Sequence, residues 1–405
     1  RGYGGSEGTP APPFAIQEAF DGYDALEWLA RQPWCDGTTG MWGVSWGGNT
    51  GLAVAATNPP SLRAIVTIHA IDDEFTGAAW PHGCRGLLVG EIDWGFRCVG
   101  LQLLPPLRFT EPDWVDRWRA RMEALEQPFP FTWHAIPPAT WATWRTDIER
   151  IRVPTLAVSA FHDSYPLETV EYHDRLGVPR RLLLGPWKHE HPDFAVHAPI
   201  GFVAEMARWF DHWLRGIGPA PLDPPVAWCE QPSLTWRSGP SWPPAGSTLV
   251  DRFAGPDGRL TGSAPTEPGA DDELVDPSVG LAALPWDWTT ATPATPPDIS
   301  PDDHRALTWT TEPLAADLLL EGNPEVVVHL ESDQPDIPLR AWLSDVSPSG
   351  RSTLISQGWV RPAHLAGGLL RPGVPVEVVV PLNPTSYRLA PGHRLRLAVA
   401  GSHFP

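Results

Sequence analysis

Over roughly the first half of the chain the apolar positions switch between two periods. Ile16, Ala19, Phe20, Tyr23, Leu26 and Ala30 recur at three- and four-residue steps, which predicts an amphipathic helix with Glu18 and Asp21 near its start. It ends before Pro33, and Trp34-Cys35-Asp36-Gly37 turns into residues 38–44, a short apolar run that reads as a buried strand. Residues 47–57 are small and Ala-rich, a helix closed by Asn58 and Pro59, and residues 64–69 (AIVTIH) form a second buried strand. Strand, helix, strand at this spacing means a parallel α/β sheet.

From Ile71 to about Ile148 the periodicity changes to helical stretches such as 112–126, rich in aromatics that include Phe75, Trp80, Trp114, Trp118, Trp133, Trp141 and Trp144. These either bury one another in a helical module or line an apolar substrate pocket as a lid. The sheet grammar then resumes, with a strand at 153–160, a helix to about Leu176, a strand at 180–184 and a helix at 202–215 with Met206, Phe210 and Trp213 on one stripe. Beyond Pro219 only short apolar runs remain, at 314–320, 326–330, 339–343, 376–382 and 395–399, separated by Pro, Gly, Asp and Ser. That text predicts an all-β sandwich or jelly roll, with the Pro-rich 262–301 stretch as a long surface loop.

Composition narrows the function. A chain of 405 residues is too long for one compact core, which points to two domains and an inserted module. The net charge of −19 argues against a nucleic-acid partner, because a phosphate backbone would be repelled and no basic stripe is visible. No run of apolar residues is long enough to cross a membrane. Cys35, Cys84, Cys98 and Cys229 have no C-x-x-C spacing and no nearby histidine pair, so neither a zinc site nor a dense disulfide frame is suggested and the cysteines are read as buried free thiols. No cofactor is expected, and the location is taken as cytoplasmic. The chain opens on Arg1-Gly2-Tyr3 without Met or signal peptide and stops just after a strand-like run, so both ends read as cut.

The chemistry centres on Gly43-Val44-Ser45-Trp46-Gly47, a G-x-S-x-G at a strand–turn–helix joint. Glycines on both sides allow a strained turn that pushes the Ser45 hydroxyl clear of the sheet. The same pattern at Gly4-Gly5-Ser6-Glu7-Gly8 has no strand before it, and the prolines after it cannot start a helix, so Ser6 reads as a loop serine. A hydroxyl nucleophile needs a base, itself oriented by an acid, and open parallel sheets collect chemistry at the carboxyl ends of their strands. Asp163 and His189 follow two such ends, and the order Ser45, Asp163, His189 is that of α/β-hydrolases. Alone, Asp163 could be the N-cap of the next helix and His189 a surface histidine beside His191 and His197; His162 and His173 are the other candidate bases.

The run from Glu18 to Gly48, the loop around Asp163, the Gly185-Pro186-Trp187-Lys188-His189 block, and the segments 307–314, 341–352 and 391–405 resemble the cocaine-esterase-like and X-Pro dipeptidyl-peptidase family of serine hydrolases. The resemblance covers nearly the whole chain. It implies an α/β-hydrolase core at 1–70 and 149–218, a helical cap at 71–148, and a C-terminal jelly-roll, galactose-binding-like domain at 219–405. It also implies a Ser45–Asp163–His189 triad, the backbone N–H of Trp46 as an oxyanion donor, and Tyr165 as an aromatic wall of the acyl pocket. Family members carry further strands and a second, tyrosine oxyanion donor ahead of the RGYGGSEG segment, so the chain is expected to be a fragment. Relatives acting on amino-acid esters place carboxylates just after the acid, where Ser164, Tyr165 and Pro166 stand here. The expected substrate is therefore a small-molecule ester or amide, or a short peptide, cleaved through an acyl-enzyme. X-Pro dipeptide release is the alternative, and a binding module working through the jelly roll or a metal hydrolase are readings of other classes.

Overall fold

The computed structural model describes residues 6–8, 12–84, 94–106, 112–124, 136–195, 198–286, 298–365 and 367–402. His197 and Trp133 lie outside them. Six strands form the first sheet in sequence order: β1 (Thr39–Val44), β2 (Leu62–Ile68), β3 (Thr155–Ala160), β4 (Arg180–Gly185), β5 (Val226–Glu230) and β6 (Thr235–Gly239). All neighbours are parallel except β5 and β6.

Side chains leave a strand alternately to its two faces, and here both faces are covered. Ile65, Ala157 and Leu182 pack with Leu26 of α1 (Ile16–Ala30), with Leu52, Val54 and Ala55 of α2 (Trp46–Ala56), and with Val170 and Tyr172 of the helix Pro166–Arg175. Ala64, Val66, Leu156, Val158 and Leu183 face the opposite way, onto Phe202, Met206 and Trp209 of the helix Phe202–Arg215. Two-sided cover is why these strands read as continuous apolar runs and not as alternation. The strands expected at 38–44, 64–69, 153–160 and 180–184 are all present within two residues at either end.

The sheet runs on past residue 218, where a domain boundary was expected. β5 pairs with β4 and β6 with β5, so residues 226–239 extend the hydrolase sheet before the second unit begins. Between β2 and β3 the described residues hold the helices α3 (Trp94–Leu103), α4 (Trp114–Ala124) and α5 (Pro138–Trp144) and a π-helical turn at Phe75–Ala79.

The second unit has a sheet ordered β13 (Ser352–Val360), β12 (Leu339–Val346), β16 (Arg394–Ala400), β9 (Leu307–Thr310), β8 (Arg259–Thr261) and β7 (Phe253–Gly255), and the antiparallel pairs β10 (Leu318–Gly322) with β15 (Thr385–Leu389) and β11 (Glu325–Leu330) with β14 (Val376–Pro381). Strand β12 pairs antiparallel with the edge strand β13 on one side and with β16 on the other. One core joins Leu339, Ala341 and Ile355 to Val378, Val380, Tyr387 and Leu389. Strand β13 carries too many Ser and Gln to stand out as an apolar run. The 262–301 stretch is not a surface loop throughout: Val279, Ala283 and Ile299 are buried against Trp342, Leu354 and Ala398, covering the outer face of the sheet.

Candidate active site

The elbow is built as its residues require. β1 ends at Val44, α2 begins at Trp46, and Ser45 between them has φ 58° and ψ −124°, a strained combination for a residue with a side chain. The backbone holds this strain with two bonds: the Ser45 N–H donates to the Ile68 carbonyl at 2.8 Å, and the Asn49 N–H donates to the Ser45 carbonyl at 2.9 Å. Gly43 is obligatory, because a Cβ there would stand 2.3 Å from the carbonyl carbon of Gly47. Trp46 opens α2, at the end where helix amides point away from the helix's own ladder. Its indole packs in an apolar cluster with Phe14, Phe75, Trp80, Trp141 and Trp144.

Asp163 and His189 come from the loops after β3 and β4. The His189 Nδ1–H donates to Asp163 Oδ1 at 2.7 Å, which fixes the imidazole with Nε2 turned away from the acid. The Asp163 side chain is completely buried and that of His189 only 11% exposed, so His189 is not a surface histidine. Nor does Asp163 cap the following helix: its N-cap position is Tyr165, with no side-chain cap bond. Tyr165 is buried and sets its ring edge-on to His189, centroids 5.7 Å apart.

The structure adds a residue that the pattern of the chain did not single out. His69, directly after β2, is completely buried and has φ 52°. Its Nδ1 stands 3.0 Å from Asp163 Oδ2, at ion-pair distance though poorly aligned for a hydrogen bond, and its Nε2 is 2.9 Å from the Glu190 carbonyl. The one available signal was position, since His69 ends the AIVTIH run at the carboxyl end of a buried strand. Burial pushes the Asp163 carboxyl up, but the two imidazoles outweigh it and hold that carboxyl below the usual carboxylate range. Burial likewise pushes the His69 imidazole down, and Asp163 with the Glu190 carbonyl outweighs it, so the net direction is upward.

The other candidate bases lie elsewhere. His162 is buried with Nε2 2.6 Å from Gln231 Oε1, and His173 faces Asp174. Among the described residues, His69, Asp163 and His189 are the cluster with metal-ligand atoms close together. Ligand bonds of about 2.0–2.2 Å at tetrahedral angles hold nitrogen and oxygen about 3.3–3.5 Å apart across an ion. The 2.7 Å between His189 and Asp163 is a direct hydrogen bond and leaves no room for one.

The second unit backs the acid loop. The Asn383 side-chain amide donates to the Asp163 carbonyl at 3.4 Å, and the Gln231 N–H donates to the Ser386 carbonyl at 2.9 Å.

A parallel sheet covered on both faces, a strained serine at a strand–helix joint and an imidazole–carboxylate pair at neighbouring strand ends define an α/β-hydrolase of the serine type. Comparison with known proteins gives the family. A family model described as X-Pro dipeptidyl-peptidase (S15 family) matches residues 1–191, and one described as the X-Pro dipeptidyl-peptidase C-terminal non-catalytic domain matches 221–405. The chain belongs to the cocaine-esterase-like and X-Pro dipeptidyl-peptidase family of serine hydrolases. It is 26% identical to the cocaine esterase of a Rhodococcus species, over all of this chain and 79% of that protein. Among solved structures, an aminopeptidase from a marine-sediment thaumarchaeon is similar with a TM-score of 0.79 at 20% identity, covering all of this chain and 77% of that one. A CocE/NonD family hydrolase from Staphylococcus aureus has a TM-score of 0.73 at 17% identity, covering all of this chain and 72% of that one. At such identities these two structures speak for the fold.

Proposed function

We propose that Ser45 is the nucleophile, His189 the general base and Asp163 the acid that orients it, in cleavage of an acyl ester or amide. Ser45 attacks the acyl carbon while His189 Nε2 takes its proton and then returns it to the leaving group. The Asp163 bond to Nδ1 keeps Nε2 as the nitrogen that faces the reaction. The backbone N–H of Trp46 meets the oxyanion, and Tyr165 walls the acyl pocket. The observation that carries this reading is the 2.7 Å bond joining two residues from separate strand ends, together with a serine held at positive φ at the end of β1 in the same sheet.

The aromatic cluster beside Trp46 supports a bulky aromatic or acyl ester as substrate. Ser164, Tyr165 and Pro166 after the acid offer no carboxylate for a substrate ammonium, which weighs against amino-acid esters. The four cysteines are free thiols, which suits a reducing compartment such as the cytoplasm. A fluorophosphonate probe is expected to label the protein and its Ser6→Ala variant but not Ser45→Ala; equal labelling of all three would end the proposal. A screen of p-nitrophenyl esters of graded acyl length against X-Pro chromogenic amides then ranks the substrate classes.

A further inference from the structure

His69 faces two acceptors at once. A backbone carbonyl can only accept, so the Nε2 that meets the Glu190 carbonyl at 2.9 Å carries a hydrogen. The other nitrogen then has two options. A bare, negatively polarised Nδ1 would stand 3.0 Å from a carboxylate oxygen with both groups out of water, and among the described residues neither atom has a hydrogen-bond partner to offset the repulsion. A proton on Nδ1 removes it, making an imidazolium beside the carboxylate, and the His69–Asp163 pair is then neutral overall.

We propose that His69 shares a retained proton with Asp163 in the resting protein, so that the carboxylate serves two imidazoles and the base His189 works beside a charge-neutral pair. This rests on the assignment of Asp163 and His189 made above. His69 is a positioning residue: its ring stands against Asp163 and the Glu190 carbonyl, and it acts through the acid. The charged and titratable groups facing it are Asp163 from the loop after β3, and His189, Glu190 and His191 from the segment after β4. The left-handed backbone at position 69 turns the chain out of β2 with its ring beneath that segment, a conformation that histidine tolerates better than most residues.

The consequence is a change in proton affinity at the site. An ordinary triad forms its imidazolium against a full negative charge, which favours the protonated base and sets the acid limb of the pH profile. Here the imidazolium of His189 forms against a neutral pair, with the His69 ring 5.2 Å away. The acid limb therefore lies lower, the site keeps working in mildly acidic solution, and the imidazolium gives its proton to the leaving group more readily.

The test has two arms. In His69→Gln, which keeps a side-chain donor but cannot hold the extra charge, the acid limb of kcat/KM is expected to rise by about one to two pH units with KM unchanged. An unmoved acid limb in a folded variant overturns the proposal, since a merely structural role predicts loss of stability without that shift. The second arm needs no turnover and covers a variant that fails to fold. In Ser45→Ala with nitrogen-15-labelled histidine, one imidazole is expected to keep protons on both nitrogens across neutral pH; all histidines titrating to a single ring proton would refute it. If Ser45→Ala stays active, the triad assignment fails while the doubly protonated ring can still be observed, so the two failures are told apart.

Discussion

The indole Nε1–H of Trp46 donates to the Glu18 carboxylate at 2.7 Å, joining the first helix to the residue that follows the elbow serine. Burial pushes the Glu18 carboxyl up from 4.5 to about 7, against the opposing effect of that bond, and buried Glu74 in the same recess is raised as well. Between these two pH values the folded protein holds a proton that the unfolded chain releases, so stability falls as pH rises and levels off above about 7.

Glu18→Gln keeps an acceptor for Trp46 and removes this titration. Its expected gain over the parent above pH 7 is about 2 kcal/mol, absent at pH 4, with a flatter Tm profile between them. Parallel profiles for parent and variant from pH 4 to 8 would count against it.

Gly43→Ala is expected to cost more than about 2 kcal/mol, because its Cβ would meet the backbone of Gly47, which cannot rotate away as a side chain can. The expected result is a lowered Tm and loss of probe labelling at Ser45. Full labelling at an unchanged Tm would show that the elbow has room that the geometry denies.

Gln231 links the two units to the acid loop: its side-chain oxygen accepts from His162 Nε2 at 2.6 Å, and its carbonyl accepts from the Arg388 N–H at 2.7 Å. Gln231→Leu removes a side-chain partner of the buried imidazole of His162, next to Asp163. The expected cost is about 1–3 kcal/mol in urea unfolding, with a reduced kcat in the folded variant.

Reagents separate the chemistries. Burial pushes the thiols of Cys84, Cys98 and Cys229 up to about 12, so few thiolates exist near neutral pH. Iodoacetamide is expected to leave turnover intact. Chelators are expected to do the same, since Asp163 and His189 bond directly; inactivation by either reagent, measured on an active ester substrate, would redirect the mechanism.

The strands of the first sheet were legible because they are buried on both faces, and such strands read as unbroken apolar runs between glycine and proline. The strand-end positions of Ser45, Asp163 and His189 were legible because each follows an apolar run that the chain's own periodicity marks as a buried strand. Strand β13 was hidden by its serines and glutamine, which are satisfied only once neighbouring strands and loops surround them. The edge beyond residue 218 was hidden because β5 returns to β4 only after the helix Phe202–Arg215 and a Pro-rich connection, and β6 then pairs with β5.

Sequence by itself determined the local matters: where helices and strands form, where the backbone bends at a serine, and which side chains stand at strand ends, all set by neighbours a few residues apart. Only tertiary structure decided that the acid lies between two imidazoles and which nitrogen of His69 meets it. Those pairings join residues 26 and 94 positions apart, and proton placement in a dry site depends on distances between atoms that no spacing along the chain encodes.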